Sequence, residues 1–463
     1  MSLAAESASV PAGRLASWIS LTVLGAGVAW TVVHLPVTVS VPILLGGFAA
    51  SIWLLFPDSA VYALALSSPF LLSHDLGTLR GVRVQDAILI ALAVSALTSV
   101  LSKSKRIHRL QTPLMKTLMG LWIFLLVWST LAFLTGSENQ WLLRDPVRNA
   151  WYVYRGIWRD LLPFPLVAYC LNDRRAAHRL ISAILLTGTA IAAAGIWEAQ
   201  ITQANPIGPL GHKNAFAGFL VLIVPFAVAR LDAAEGWRAR LMYTGVLLVM
   251  LRALWLTGSR GGFVALLGSF LVLSLCVRRK RLVAAAAVAV VAVSVLAVAR
   301  GDLLERPMVQ RFLTLRQPQE EGNLRWRYEQ WRIFFGGVSE DPWLGTGSDV
   351  MEFLGADDRA PTAHNGYLAL AIRSGIPFCL AWLLAAGVAV KAAIGALSAE
   401  GSPTSRAFWI GVIGFLAALL IHNCVEATIL IPQVQNFIWI ILGAAVVWAL
   451  PPEDAVLLEA EQR

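Results

Sequence analysis

The chain has 463 residues, of which 57% are hydrophobic and 14% charged, with a formal net charge of +9 and a mean hydropathy of +0.68. A soluble domain carries about 25% charged residues, so that class is excluded. The cations are dispersed in short loops rather than pooled in one domain, which argues against a nucleic-acid partner.

The apolar residues come in long runs, near 15–33, 37–56, 59–72, 84–101, 114–134, 157–171, 179–200, 214–231, 241–257, 263–277, 282–299, 376–397, 407–422 and 437–450. A bilayer core of about 30 Å needs roughly 20 helical residues, and most runs approach that length. Continuous apolar runs also lack the alternation of a membrane β-barrel. The fold class is therefore all-α: a polytopic integral membrane helical bundle of about 12–14 spans, some of the shorter runs being half-spans, with one large loop on the outer side. The first run has only Arg14 before it and further runs directly after it, so it reads as an uncleaved span. Cys170, Cys276, Cys379 and Cys424 lie in or beside apolar runs without metal-ligand spacing, as small buried hydrophobes do.

The basic clusters at 103–109, 174–175, 238–240 and 278–281 fall at alternate ends of the runs. Taking them as cytoplasmic places both termini inside. It leaves four connections outside: 135–156, 201–213, the 258–262 turn and 301–363. The expected organisation is an N-terminal membrane bundle (1–300), an outer loop with short helices (301–363; periplasmic on the resemblance given below), C-terminal membrane helices (364–450) and an acidic cytoplasmic tail (451–463). The long loop holds seven arginines against eleven acids, and it is rich in aromatic residues such as Trp326, Trp331 and Trp343. A disordered tract is poor in aromatics, so order is expected there.

Arginines on the outer side oppose the positive-inside tendency and therefore draw notice. Arg144, Arg148, Arg155 and Arg159 would share one helical face beside Trp151, Tyr154 and Trp158. Such a face suits an interfacial helix among headgroups, or else a contact with an anionic lipid substrate. Arg252 lies inside a run, where insertion costs about 2.5–3.5 kcal/mol, so it should face a partner or water. The turn Thr257-Gly258-Ser259-Arg260-Gly261-Gly262 ends one run and starts another, and an arginine at a helix N-terminus suits an anion. In the long loop, a helix over 322–332 would set Arg325 and Arg332 on one face and Arg327 on another. Next come Pro342–Gly347 and His364-Asn365-Gly366-Tyr367, where the chain returns to an apolar run. Histidine takes a proton near neutral pH, although a lone histidine at a helix start also serves as a cap. The ionisable residues placed within runs are few: Arg252, Glu198 and Glu426.

The order Ser259-Arg260-Gly261, Arg327–Trp331, Pro342–Gly347, His364–Leu368 and Ser374–Pro377, with Gly211–Asn214 upstream, resembles the O-antigen ligase and polymerase family. The motifs cover about 210–380; elsewhere the likeness is one of span count and hydropathy. The resemblance implies a metal-independent, cofactor-free glycosyltransferase of the bacterial inner membrane with its active site facing the periplasm. Its donor would be an undecaprenyl-pyrophosphate-linked glycan, and its acceptor the lipid A core (a ligase) or another glycan (an O-antigen or exopolysaccharide polymerase). The other partners would be membrane lipids, with no nucleic acid. His364 would be general base, with Arg260 and Arg327 neutralising the departing pyrophosphate; Arg325 remains an alternative to Arg327. Arg325, Arg332, Asn365, His212, Lys213, Arg252, Arg155 and Arg159 are the candidate substrate contacts. A transporter or flippase is the competing class, but it calls for polar residues along a midplane path, and here the polar residues gather at one surface.

Overall fold

The computed structural model describes residues 57–70, 73–76, 79–101, 112–135, 154–277, 322–347, 364–399 and 402–450, with a few single positions between 49 and 56. The runs at 15–33 and 282–299, the basic clusters at 103–109 and 278–281, Arg144, Arg148 and the tail 451–463 lie outside the described residues, as do the side chains of Arg155 and Arg325.

Twelve helices are labelled here in chain order. They are α1 (Pro57–Ser67), α2 (Val84–Leu101), α3 (Pro113–Thr135), α4 (Pro163–Cys170), α5 (Arg174–Thr202), α6 (Lys213–Ala233), α7 (Trp237–Thr257), α8 (Arg260–Cys276), α9 (Gly322–Glu340), α10 (Gly366–Ala399), α11 (Pro403–Asn423) and α12 (Pro432–Trp448). Six of them, α3, α5, α6, α7, α10 and α11, are long and apolar enough to cross a membrane, and α8, α12 and most of α2 are shorter apolar helices. The chain is a multi-pass helical membrane protein.

Helix α6 is the central element. Nearly all of its apolar window is buried, and Phe216, Phe219 and Phe226 are enclosed by neighbours. Phe219 meets Phe437 of α12 edge to face at 4.9 Å, and Phe226 meets Phe415 of α11 at 6.0 Å. Pro225 lies inside α6, tolerated because surrounding helices can compensate for the lost backbone bond. Helix α11 packs between α6 and α8, and Ser269 donates to the Gly414 carbonyl at 2.9 Å. One core therefore joins helices from both sides of the long loop.

Two expectations are corrected. Residues 59–72 do not span: α1 has 11 residues, too few to cross about 30 Å. The 157–171 run is broken into a π turn (Tyr154–Trp158), a single turn (Arg159–Leu161) and α4, because Pro163 and Pro165 withhold backbone donors. The structure also adds a short antiparallel hairpin, β1 (Ser73–Leu76) with β2 (Leu79–Arg83), in register Ser73↔Arg83 and His74↔Val82.

Helix directions sort the ends. The starts of α6, α8, α10 and α12 and the ends of α5, α7 and α11 lie at one end of the bundle, which we call the site end. The starts of α5, α7 and α11 lie at the other. Helix α10 is interrupted near its start at Gly375 (φ 81°, ψ 166°), a backbone conformation that L side chains rarely adopt. The break is filled by the 341–347 turn. A Cβ on Gly375 would fall 1.7 Å from the Trp343 carbonyl oxygen. Ile376 N–H donates to Pro342 O at 2.8 Å, Thr346 N–H to Ile372 O at 2.7 Å and Gly347 N–H to Arg373 O at 3.1 Å. From α3, the Trp128 indole N–H lies 3.1 Å from both the Trp343 and Ser374 carbonyls. The Pro342–Gly347 and Ser374–Pro377 motifs are thus two halves of one joint. That joint sets α9 against the first turns of α10, through Phe334 and Val338 on Ala369, Ala371 and Ile372.

Candidate functional site

At the site end one carboxylate gathers four segments. Glu426, in the turn after α11, accepts from Arg327 Nη2 at 2.7 Å and from Asn214 Nδ2 at 2.8 Å on Oε1, while Oε2 lies 2.9 Å from His364 Nδ1. Arg327 also donates through Nη1 to the Val425 carbonyl at 2.8 Å. The Glu426 side chain is 10% exposed, His364 19% and Arg327 25%, so the cluster is sheltered without being sealed. Burial alone would raise the Glu426 pKa, but the hydrogen bond and charge of His364, with those of Arg327, outweigh it and hold the carboxyl below its ordinary value. An ionised carboxylate can only accept, so His364 Nδ1 is the protonated ring nitrogen.

His364 is held at φ 42°, a left-handed conformation that costs a non-glycine residue about 1 kcal/mol or more. The turn after it compensates. The Asn365 side chain caps α10, its Oδ1 accepting from the N–H groups of Tyr367 and Leu368 at 3.0 and 3.1 Å, and its Nδ2 donates to the Cys424 carbonyl at 3.3 Å. The Tyr367 hydroxyl donates to Leu420 O at 2.6 Å, tying α10 to α11.

Arg260 stands at the first position of α8, which Ser259 caps through the Gly262 N–H at 3.3 Å. The next residue explains why no larger side chain stands there: a Cβ on Gly261 would sit 2.9 Å from Val425 Cγ2 and 3.5 Å from Glu426 Cγ. The start of α8 is thereby pressed against the Glu426 turn. His212 caps α6 by accepting from the Asn214 N–H at 3.3 Å. Its pKa is lowered, first by burial and then by the nearby charges of Lys213 and His364, with Glu426 acting against them. Three helix N-termini, those of α6, α8 and α10, converge on one carboxylate and carry Lys213, Arg260 and two histidines with them. Helix starts present the positive ends of their dipoles, so the arrangement can hold an anion beside a base.

Other candidates stand apart. On α9, Arg332 is exposed on a different face from Arg327. Arg252 is exposed on α7 rather than turned into the core. Arg159 is buried and lies 3.6 Å from Asp86 and 3.8 Å from Asp160, with Tyr154 donating to Asp86 at 2.9 Å. It belongs to an internal ion-pair cluster and is not displayed on an interfacial face. Glu198 is not mid-span either: it lies in the last turn of α5 and accepts the Ile207 and Gly208 N–H groups at 3.1 and 3.0 Å.

Sequence reading named Glu426 only as a residue within a run, and Asn214 only as the last residue of the Gly211–Asn214 motif, without a role. A signal for Glu426 existed, because it is the sole charged residue from 407 to 450. A lone carboxylate in such a stretch needs a partner.

Residues 245–383, which include α8, α9, His364 and the joint at Gly375, match the family model described as O-antigen ligase. The likeness to the O-antigen ligase family rests on that segment. The matched segment covers Arg260, Arg327 and His364, while Glu426 and Asn214 complete the cluster from outside it. No curated protein matches the chain.

Proposed function

We propose that the protein is an O-antigen ligase-type glycosyltransferase, moving a glycan from undecaprenyl pyrophosphate to a hydroxyl of a lipid A core acceptor at the periplasmic face of the inner membrane. The single observation that carries the reading is the Glu426 carboxylate bridging His364 and Arg327 within a ring of helix N-termini. With Nδ1 protonated and bonded to Glu426, the basic nitrogen of His364 is Nε2, on the opposite edge of the ring. It takes the acceptor proton as the hydroxyl oxygen attacks the anomeric carbon. The glycosyl–oxygen bond to the pyrophosphate breaks, and the leaving group departs with the bonding pair.

Charge develops on that leaving group, and Arg260 at the start of α8, with Lys213 at the start of α6, are the groups suited to neutralise it. Arg327 has two of its donors on Glu426 and Val425, so its first task is to hold the base in register. His212 lines the same end, and Asn365 shapes the turn that bears His364. Arg325, Arg332, Arg252 and Arg155 are left as contacts for longer parts of the donor or for headgroups, while buried Arg159 serves the internal ion-pair cluster. The activated pyrophosphate ester supplies the driving force. A base contributes roughly 10²–10⁴-fold, and positioning of donor and acceptor adds to it.

The deciding experiment offers purified protein an undecaprenyl-pyrophosphate glycan together with either lipid A core or a repeat-unit acceptor. Transfer to the core alone supports the ligase. Transfer to the repeat unit alone makes the protein a polymerase with the same chemistry, and no transfer to either removes the reading.

A further inference from the structure

The opposite end of the bundle carries a second concentration of positive charge, one that glycan transfer does not use. Helix α5 begins with Arg174 and Arg175 and continues with His178 and Arg179. Cations are disfavoured at a helix N-terminus, where the macrodipole is already positive, and Arg175 and Arg179 form a like-charged i,i+4 pair. The carboxylates at this corner are engaged. Asp173 accepts the Ala176 N–H at 2.6 Å as N-cap, and Asp58 accepts from Asn172 N and Nδ2 at 2.8 and 2.6 Å. Behind the helix, buried Arg230 adds another guanidinium, with Nη1 2.6 Å from His178 Nε2.

The start of α11 enters the same corner. Its N-cap Ser402 makes no side-chain cap hydrogen bond, and the Ser405 hydroxyl is taken by the Trp448 indole N–H at 2.6 Å. Between these two helix starts and the end of α12 lies a cavity of about 700 Å³, lined by Arg174, Arg175, Arg179, Thr404 and Trp448, with Asp173 as the acid among its lining residues. Arg174 is partly committed, its Nε and Nη2 holding the Leu450 carbonyl at 3.0 and 2.6 Å. Arg175 and Arg179, both exposed, supply the remaining positive charge, although Arg179 also meets the Tyr62 hydroxyl.

We propose that this cavity binds the phosphate of an anionic phospholipid headgroup in the leaflet opposite the candidate site. Guanidinium forks match phosphate geometry, and the first turn of α11 adds backbone N–H donors. The cavity lies where two apolar helices begin, and basic pockets between membrane helices are suited to such lipids. A bound phosphate would also relieve the unfavourable charge at the start of α5.

The test follows thermal unfolding of the full chain in a neutral detergent with short-chain phosphatidylglycerol, the matching phosphatidylcholine, or inorganic phosphate. Phosphatidylglycerol alone should raise the midpoint. Arg175→Gln should weaken that effect by roughly fivefold in concentration, and Thr404→Glu should abolish it. Thr404→Glu sets a carboxylate into the cavity while favouring the helix start, and both variants should match the wild type in phosphatidylcholine. Equal shifts with both lipids, an equal shift with inorganic phosphate, or full response in both variants would each overturn the proposal. So would a phosphatidylglycerol response that appears only after Glu453, Asp454, Glu459 and Glu461 are changed to amides, since it would assign the cavity to the chain's own tail.

Discussion

Glu426 Oε2 lies 2.9 Å from His364 Nδ1, while the same carboxylate holds Arg327 Nη2 at 2.7 Å through Oε1. One acid thus sets the tautomer of the imidazole and fixes the helix α9 that approaches it. Glu426→Gln keeps the shape and removes the charge. A hydrogen bond to a charged group contributes about 1.5–3 kcal/mol, so transfer should fall by roughly ten- to a hundredfold. The loss should appear in kcat, with donor KM little changed, because the acceptor proton is taken only as the reaction proceeds. Wild-type kcat in the glutamine variant would remove Glu426 from the mechanism.

The same carboxylate predicts a stability difference with pH. Its folded pKa is held below the ordinary value, so the unfolded chain binds this proton more readily than the folded one. The stabilisation is complete above the ordinary glutamate pKa of about 4.3 and is lost as pH falls through the lower folded value. Other carboxylates titrate in that window too, so the informative quantity is the difference between wild type and Glu426→Gln. The gap in unfolding midpoint should narrow as pH falls below about 4.3. A gap that widens below that pH would show that the carboxylate is not held ionised by its partners.

His364 carries two demands at once, a base and a left-handed backbone. Asparagine satisfies the second and not the first, since it tolerates positive φ better than most residues. His364→Asn should therefore keep the wild-type unfolding midpoint within a few degrees while losing transfer by about 10²-fold or more. His364→Ala should lose transfer as fully and should still insert and fold. Near-normal transfer by either variant in a reconstituted assay would remove the histidine from the chemistry.

Hydropathy made the membrane class legible because a spanning helix must satisfy its backbone internally and present apolar side chains over its whole length. It was less informative where proline or loop geometry decides: α1 is half a span, and the 157–171 run is broken around Pro163 and Pro165. The site was partly legible because the Ser259–Gly261, Arg327–Trp331 and His364–Leu368 motifs all fall on one end of the bundle. Glu426 and Asn214 were not legible as site residues. They come from a turn and a helix start 212 positions apart, and no local periodicity links such positions. The arginine stripe failed for the converse reason. Spacing showed a shared face through Arg159 but could not show that Asp86, from a distant helix, waits beneath it at 3.6 Å.

The joint between the 341–347 turn and the broken start of α10 should tolerate no side chain at Gly375. An added Cβ would lie 1.7 Å from the Trp343 carbonyl oxygen, at a φ of 81°. Both terms act together: a side chain in this extended positive-φ backbone costs about 1–3 kcal/mol, and the clash forces the turn away. Gly375→Ala should therefore lower the unfolding midpoint and reduce transfer by displacing α9, and with it Arg327, although no reacting group is altered. Trp128→Phe, which removes one indole donor to the same carbonyls, should be a milder version of the defect. A fully stable, fully active Gly375→Ala variant would mean that the joint does not position the site.

Arg260 tests whether the leaving group is gripped by a fork or by charge alone. It begins α8, whose second residue abuts Val425 and Glu426, so its guanidinium projects from a start that cannot shift without disturbing the base. Arg260→Ala should reduce transfer by about 10²–10³-fold, the usual loss when one preorganised donor to a developing anion is removed. Arg260→Lys retains the charge but replaces a planar fork with a compact ammonium. It should recover only a small part of the rate, with the deficit growing for donors whose pyrophosphate binds weakly. Ser259 caps the same helix, so Ser259→Ala supplies the control: it should cost about 1 kcal/mol in stability and little in rate. Full activity in the lysine variant would show that a point charge suffices and that the bidentate grip is absent.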